Sequence, residues 1–231
     1  MTTAIWRRAI LFAAVGLFSG CSFFSRQPPL PRHAAIESSG SDEKFAHLVE
    51  EADIIYFPSE AVALSSRSET AWRLVEALRR NGNSFALGWD LRAEEDPKHR
   101  GFFTEAAKSG AEVLALHPPA ELAPDDISRG FEPPPGDFER FAQRLASRHV
   151  SEVKLRAIYE AELLAEQFAA EKIATYFRNH RSEKMLVFLR EDQLGPDHGV
   201  PYFVSQKTKA RQLILNPKRH SASGPGLLAR N

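Results

Sequence analysis

Three short apolar runs constrain this chain more than any other feature: DIIYF at Asp53–Phe57, SFALGW at Ser84–Trp89 and EVLAL at Glu112–Leu116. Each is too short for a stable helix. The runs are nearly continuous rather than alternating, which is the pattern of strands covered on both faces. Helix signals fall between them. Ser66-Arg67-Ser68-Glu69 has capping-box spacing, in which a hydroxyl takes an orphan amide and the Glu reaches back. Trp72, Val75 and Leu78 follow at helical spacing, Arg79 and Arg80 suit the negative helix end, and Gly82 can take a left-handed stop. A second helix is expected at about His99–Ser109, ending at Gly110. Strand, helix, strand, helix, strand with short links implies a parallel sheet with right-handed crossovers.

The remainder extends this order. Residues 118–136 are rich in Pro and Gly and read as an irregular connection. Asp137 can cap a helix running to Ser147, and a longer helix is expected over Val150–Asn179. Val150, Val153, Ala157, Ala161, Leu164, Phe168, Ile173 and Phe177 are expected to fall on one broad face of it. Met185–Leu189 reads as another buried strand. Tyr202–Val204 and Gln212–Leu215 are expected to form a last strand pair around the polar Gln206–Lys209 turn. No internal repeat is visible. The expected fold is α/β: a mainly parallel central sheet flanked by helices, in a single domain over residues 42–215.

The N-terminus carries a different message. Arg7 and Arg8 precede eleven apolar residues, Ala9–Ser19. That run is well short of the ~20 residues needed to span a bilayer, but it suits the core of a secretory signal. It ends in Leu17-Phe18-Ser19-Gly20-Cys21, where small residues admit a peptidase and the Cys offers a thiol for acylation. This resembles the bacterial lipobox. Residues 1–20 are therefore expected to be a lipoprotein signal peptide and Cys21 the lipidated first residue, its acyl chains holding the protein to a membrane. Ser22 follows the Cys rather than Asp, which in a Gram-negative host implies the outer membrane, facing the periplasm. Residues 21–41, with Pro28, Pro29, Pro31 and a Ser-Ser-Gly-Ser run, read as a flexible tether. Residues 216–231 read as a disordered tail.

Composition excludes several function classes. The 30 basic and 30 acidic residues balance, and loss of Arg7 and Arg8 leaves a mature charge of about −2, so no basic excess points to nucleic acid. Cys21 is the sole cysteine, which excludes a disulfide, a thiolate nucleophile and a Cys-based metal site in the mature fold. Nucleophile-elbow, phosphate-loop, dinucleotide-turn and zinc-helix motifs are absent. Polar residues just beyond strand ends remain, where open parallel sheets bind ligands. Glu60 follows the first strand, Asp90 ends the second, His117 ends the third, and Glu191 and Asp192 follow the Met185 strand. In a parallel sheet all five share one rim, able to hold a cation or exchange protons. Capping of helices by the same acids is the plainer role. His198 lies in an Asp197-His198-Gly199 turn. Tyr56 and Tyr202 add phenols of the kind that can hold haem iron, and sixteen Phe residues supply apolar surface that is mostly core.

Four segments resemble a known family. Ala52-Asp53-Ile54-Ile55-Tyr56-Phe57-Pro58-Ser59-Glu60 is similar to the opening strand and Gly-Glu-x-His turn of the ChaN-like haem-binding lipoproteins, within the Tiki superfamily. Phe85-Ala86-Leu87-Gly88-Trp89-Asp90 resembles the family's second strand, which normally ends in Glu. Ala111–His117 resembles the strand that the family follows with Asn, and His198-Gly199-Val200-Pro201-Tyr202-Phe203-Val204 its late Gly-[Ile/Val]-Pro segment. The likeness spans most of residues 50–215 in order. Departures fall at the pocket. Val62 stands where the first motif has His, Ser59 replaces its Gly, Arg190-Glu191-Asp192 occupies the place of a Gly-His pair, and little chain lies between Asp90 and His99.

The resemblance implies an anchored periplasmic protein that binds haem or a similar flat hydrophobic ligand, in iron or haem uptake. Glu60, Asp90, His117, Tyr56, Tyr202 and His198 are the ligand-binding candidates. A homodimer with a shared site is compatible with it. The altered pocket leaves a second reading open, a non-enzymatic envelope interaction protein. A third, a metal-assisted hydrolase using Glu60, Asp90 and His117, is weakened by the missing first-motif His.

Overall fold

The computed structural model describes residues 31–36, 42–62, 65–80, 84–90, 97–119 and 130–217. The signal, Cys21, most of the tether, Gly82 and the tail beyond 217 lie outside them. Six strands form one sheet: β1 (Arg32–Ile36), β2 (Ile54–Pro58), β3 (Phe85–Trp89), β4 (Glu112–Ala115), β5 (Lys184–Leu189) and β6 (Gln212–Pro217). Their spatial order is β1-β6-β2-β5-β3-β4, and every pairing is parallel. The helices are α1 (Asp42–Glu51), α2 (Ser59–Val62), α3 (Ser65–Arg80), α4 (Pro97–Ala107), α5 (Asp137–Leu145), α6 (Glu152–Asn179) and α7 (Gly199–Lys207).

Both faces of the sheet are covered. Ile55, Phe57, Leu87, Trp89, Leu186, Phe188, Leu213 and Leu215 meet residues from α1 to α4 on one side. Ile54, Tyr56, Ala86, Met185, Val187, Leu189 and Ile214 meet α6 and α7 on the other. The central strands β2, β3 and β5 are buried along their whole length, which explains their unbroken apolar sequence. By contrast, β4 is an edge strand, with Val113 41% exposed. Among the described residues no helix is long and apolar enough to cross a membrane.

Three expectations are corrected. First, Tyr202–Val204 is not a strand paired with Gln212–Leu215, because it belongs to α7. Val200, Phe203 and Val204 recur at helical spacing and bury one face, and Pro201 sits in the first turn, where it costs no hydrogen bond. Gln212–Leu215 is a strand, but its neighbours are β1 and β2. Second, residues 32–36, expected within the tether, pair as β1, and β6 runs to Pro217. Third, the apolar residues of α6 do not share one face. At about 100° per residue, Val153, Ala157, Ala161, Leu164 and Phe168 fall opposite Ile173 and Phe177. Ile173 is fully buried, whereas Val153 is 84% exposed.

Length places the first half of α6. Its 28 residues extend roughly 42 Å, whereas six-residue β5 extends roughly 20 Å. Burial is continuous only near its C-terminal half, from Glu166 to Phe177. The first half therefore rises beyond the carboxyl ends of the strands. There it packs on α5: Phe138 and Phe141 meet Tyr159 at ring separations of 5.3 and 5.4 Å.

Candidate functional site

Parallel strands bring Glu60, Asp90, His117, Glu191 and Asp192 to the same rim, as the sequence implies. They do not form one cluster. Glu60, in the first turn of α2, accepts the Glu191 amide on both carboxylate oxygens, at 3.3 and 3.1 Å. This bond crosses from β2 to β5, which are neighbours. Arg190 then ties Asp192 to Glu162 of α6. Arg144 of α5 reaches the Asp192 carboxylate at 3.6 Å and its carbonyl at 3.4 Å. The β2–β5 part of the rim is thus occupied by internal charge pairing beneath α5.

Glu166 lies below that network, buried against Glu162, Asp137 and Asp192. Burial, and then the three negative neighbours, hold its carboxyl proton far above the usual range; Arg144 opposes them. Nothing in the linear sequence marks Glu166, because its surroundings come from α5 and the turn after β5. Tyr159 donates to Asp137 at 3.1 Å, and burial with the nearby carboxylates raises its phenol.

A second polar group lies beyond β3 and β4. His117 Nδ1 stands 3.5 Å from Asp90 Oδ1, with side chains 35% and 13% exposed respectively. That separation exceeds a closed hydrogen bond. Nδ1 is itself buried without a hydrogen-bond partner, as is the indole Nε1 of neighbouring Trp89. Trp89 packs on Phe103 at 4.5 Å. Buried polar atoms left open are uncommon, and each calls for an explanation such as an ordered water, an ion or a ligand. Among the described residues, no group of three or more His, Cys, Asp or Glu is placed to hold a metal ion.

The other candidates lie elsewhere. Tyr56 is fully buried in mid-strand, where its hydroxyl donates to Gln212 Oε1 at 2.7 Å and burial raises its pKa well above the phenol range. Tyr202 is half-buried on α7 against Phe203. His198 stands at the N-cap position of α7 without a capping side-chain hydrogen bond, its Nδ1 3.0 Å from Asp197 Oδ1. Its ring lies over Gly195, so close that a β-carbon there would sit 2.1 Å from Cε1. An open cavity of about 170 Å³ lies at the other end of the sheet, lined by Arg32, Leu48, Glu51, Ala52, Arg211, Gln212 and Leu213. It opens where β1, β2 and β6 begin, remote from the polar rim.

No family model matches the sequence, and no curated protein matches it. A solved structure does: the haem complex of ChaN from Campylobacter jejuni, in which haem is bound cofacially. The two chains share 13% identity, and the match covers 76% of this chain and 84% of that one, with a TM-score of 0.55. This chain has a ChaN-like fold. The likeness spans most of the ChaN chain. At 13% identity the shared feature is the fold, and the side chains at the rim are this protein's own.

Proposed function

We propose that this protein is a lipid-anchored envelope protein whose ChaN-like domain binds haem, or a similar flat hydrophobic ligand, at the carboxyl-end rim of its sheet. The observation that carries the reading is the fold shared with a haem-binding ChaN. The local chemistry fits the group. Haem iron takes imidazole or phenolate, and the rim presents an imidazole, His117, with a carboxylate beside it. Tyr56 does not fit, because its hydroxyl is sealed in the core. Attachment through acylated Cys21 is read from the Ala9–Cys21 sequence, which supports a location in a bacterial envelope. Expression with labelled palmitate tests the anchor: label enters the wild type and is lost in Cys21→Ala. Purifying the full chain from haem-supplied cells tests the ligand. Soret absorbance in proportion to protein is expected, and its absence from folded protein contradicts the reading.

One observation favours a second reading, an interaction protein of the envelope. The outer stripe Val153, Ala157 and Ala161 of α6 is apolar and exposed. Under that reading Ala157→Glu abolishes a cross-linked membrane complex and leaves haem content unchanged. A metal-assisted hydrolase is disfavoured by the geometry, since Glu60 is bonded to the Glu191 amide rather than grouped with Asp90 and His117.

A further inference from the structure

We propose that the cavity at the amino end of the sheet binds the zwitterionic headgroup of an aminophospholipid from the membrane that holds the anchor; the choice of a lipid rests on the Cys21 reading above. Size sets the class of ligand. About 170 Å³ is room for about six waters at ~30 Å³ each, well below the ~300 Å³ at which pockets for drug-sized ligands begin. A small polar headgroup suits it and a haem does not. Two of its walls are held in place. The end of α1 supplies Leu48, Glu51 and Ala52, and the Lys184 ammonium ties that end through the Val49, Glu50 and Ala52 carbonyls. The entry to β6 supplies Arg211 and Leu213. Arg211 donates to Asp53 from Nε at 3.2 Å and from Nη2 at 2.8 Å, which sets the plane of its guanidinium.

The third wall is Arg32, the first residue of β1. Its guanidinium stands 3.8 Å from the Glu51 carboxylate, as does the His47 imidazole. Both separations exceed a hydrogen bond, so among the described residues the Glu51 carboxylate accepts none. The cavity thus offers one guanidinium set in place, one mobile guanidinium and one uncommitted carboxylate. Arg32, Arg211 and Lys184 are matched there by Glu50, Glu51 and Asp53. A simple anion would gain from the arginines and lose to the carboxylates, and a simple cation the reverse. A ligand carrying both signs gains from each, with phosphate on Arg32 and Arg211 and ammonium on Glu51. Its carbon atoms then meet Leu48, Ala52 and Leu213. Position selects a lipid among such zwitterions. Residues 21–31 lead from the anchor to Arg32 and reach at most roughly 40 Å. A bilayer holding acylated Cys21 therefore stays near the cavity and presents its headgroups at high local concentration.

The test is native mass spectrometry of the full chain from detergent micelles doped with equal amounts of phosphatidylethanolamine, phosphatidylglycerol and phosphatidylcholine. One phosphatidylethanolamine adduct is expected, favoured about ten-fold over the other two. Phosphatidylglycerol has the phosphate without the ammonium, and the methylated ammonium of phosphatidylcholine has no N–H to donate to Glu51. Glu51→Gln should keep a phospholipid adduct and lose the preference for phosphatidylethanolamine. Arg32→Gln should weaken all three about ten-fold. Glu160→Gln, the same charge change on the exposed face of α6, should match the wild type. All variants are checked for folding by circular dichroism. Equal adducts of the three lipids, or a preference untouched by Glu51→Gln, overturn the proposal. Displacement of the lipid by an equal concentration of free phosphoethanolamine overturns the lipid assignment in favour of a soluble zwitterion. Palmitate labelling separates this inference from the anchor: a labelled chain without the adduct refutes the cavity alone, and an unlabelled chain with the adduct refutes the anchor alone.

Discussion

Single residues carry the sharpest consequences. Burial and three carboxylates raise the Glu166 pKa above its value in the unfolded chain, which is about 4.3. The folded state therefore holds the proton more tightly. The stability this contributes is fully present at low pH and declines as pH rises from about 4 toward the folded value. Glu166→Gln keeps the neutral form at every pH. Thermal melts should show the variant more stable than wild type at pH 8, by an amount on the order of 1 kcal/mol, and nearly equal at pH 4. Equal shifts at both would show that ionisation is not the cause. Asp53 has the opposite sign. Burial opposes its charge, but hydrogen bonds and the charge of Arg211 outweigh that and hold the carboxyl below its usual value. Its contribution is present at neutral pH and is lost as pH falls below about 4. Gly199 is fixed by geometry rather than charge. Its φ is +68°, and an added β-carbon would stand 2.2 Å from the Gln193 carbonyl oxygen. Gly199→Ala should destabilise the domain by about 1–3 kcal/mol in urea titrations. The Gly199-Val200-Pro201 segment was legible in the sequence as a family likeness. The reason it needs glycine was not, because Gln193 meets it only through the turn after β5.

Elements were legible where one face of local sequence decides them. The buried strands β2, β3 and β5 needed no tertiary information, since an unbroken apolar run has few alternatives. The GVPYFV segment did have an alternative, because a short apolar run suits a strand or a buried helical turn equally well. Its helical burial became visible only against α6 and the sheet. The first half of α6 misled for a related reason: periodicity shows that apolar residues align, but not which side they face. Buried Lys184 shows how a strand fixes a helix outside local sequence. Its ammonium donates to the carbonyls of Val49, Glu50 and Ala52 at 3.2, 2.7 and 2.6 Å, closing the C-terminal end of α1. Lys184→Met keeps the stem and removes the donors. A loss of about 1–3 kcal/mol is expected from the unpaired carbonyls, read as a lower urea midpoint. An unchanged midpoint would mean that water replaces the ammonium without cost.

Across the whole molecule, the parallel sheet divides the work between its two ends. β1 begins at the amino-end rim, so the segment leading back to Cys21 leaves from the end opposite Asp90 and His117. Under the proposed anchoring at Cys21, the polar rim lies at the end of the sheet opposite the start of β1. The fold of this rim was legible from strand order, and Glu60, Asp90 and His117 were correctly placed on it. Their division into a Glu60–Glu191 tie and a separate Asp90–His117 pair depends on β5 entering between β2 and β3, which no local pattern announces. Haem binding at this rim is tested by a haem titration of the full chain in detergent, followed at the Soret band. A saturable shift that ends at a fixed ratio of haem to chain is expected. A spectrum identical to haem in detergent alone, with the protein folded by circular dichroism, would contradict it.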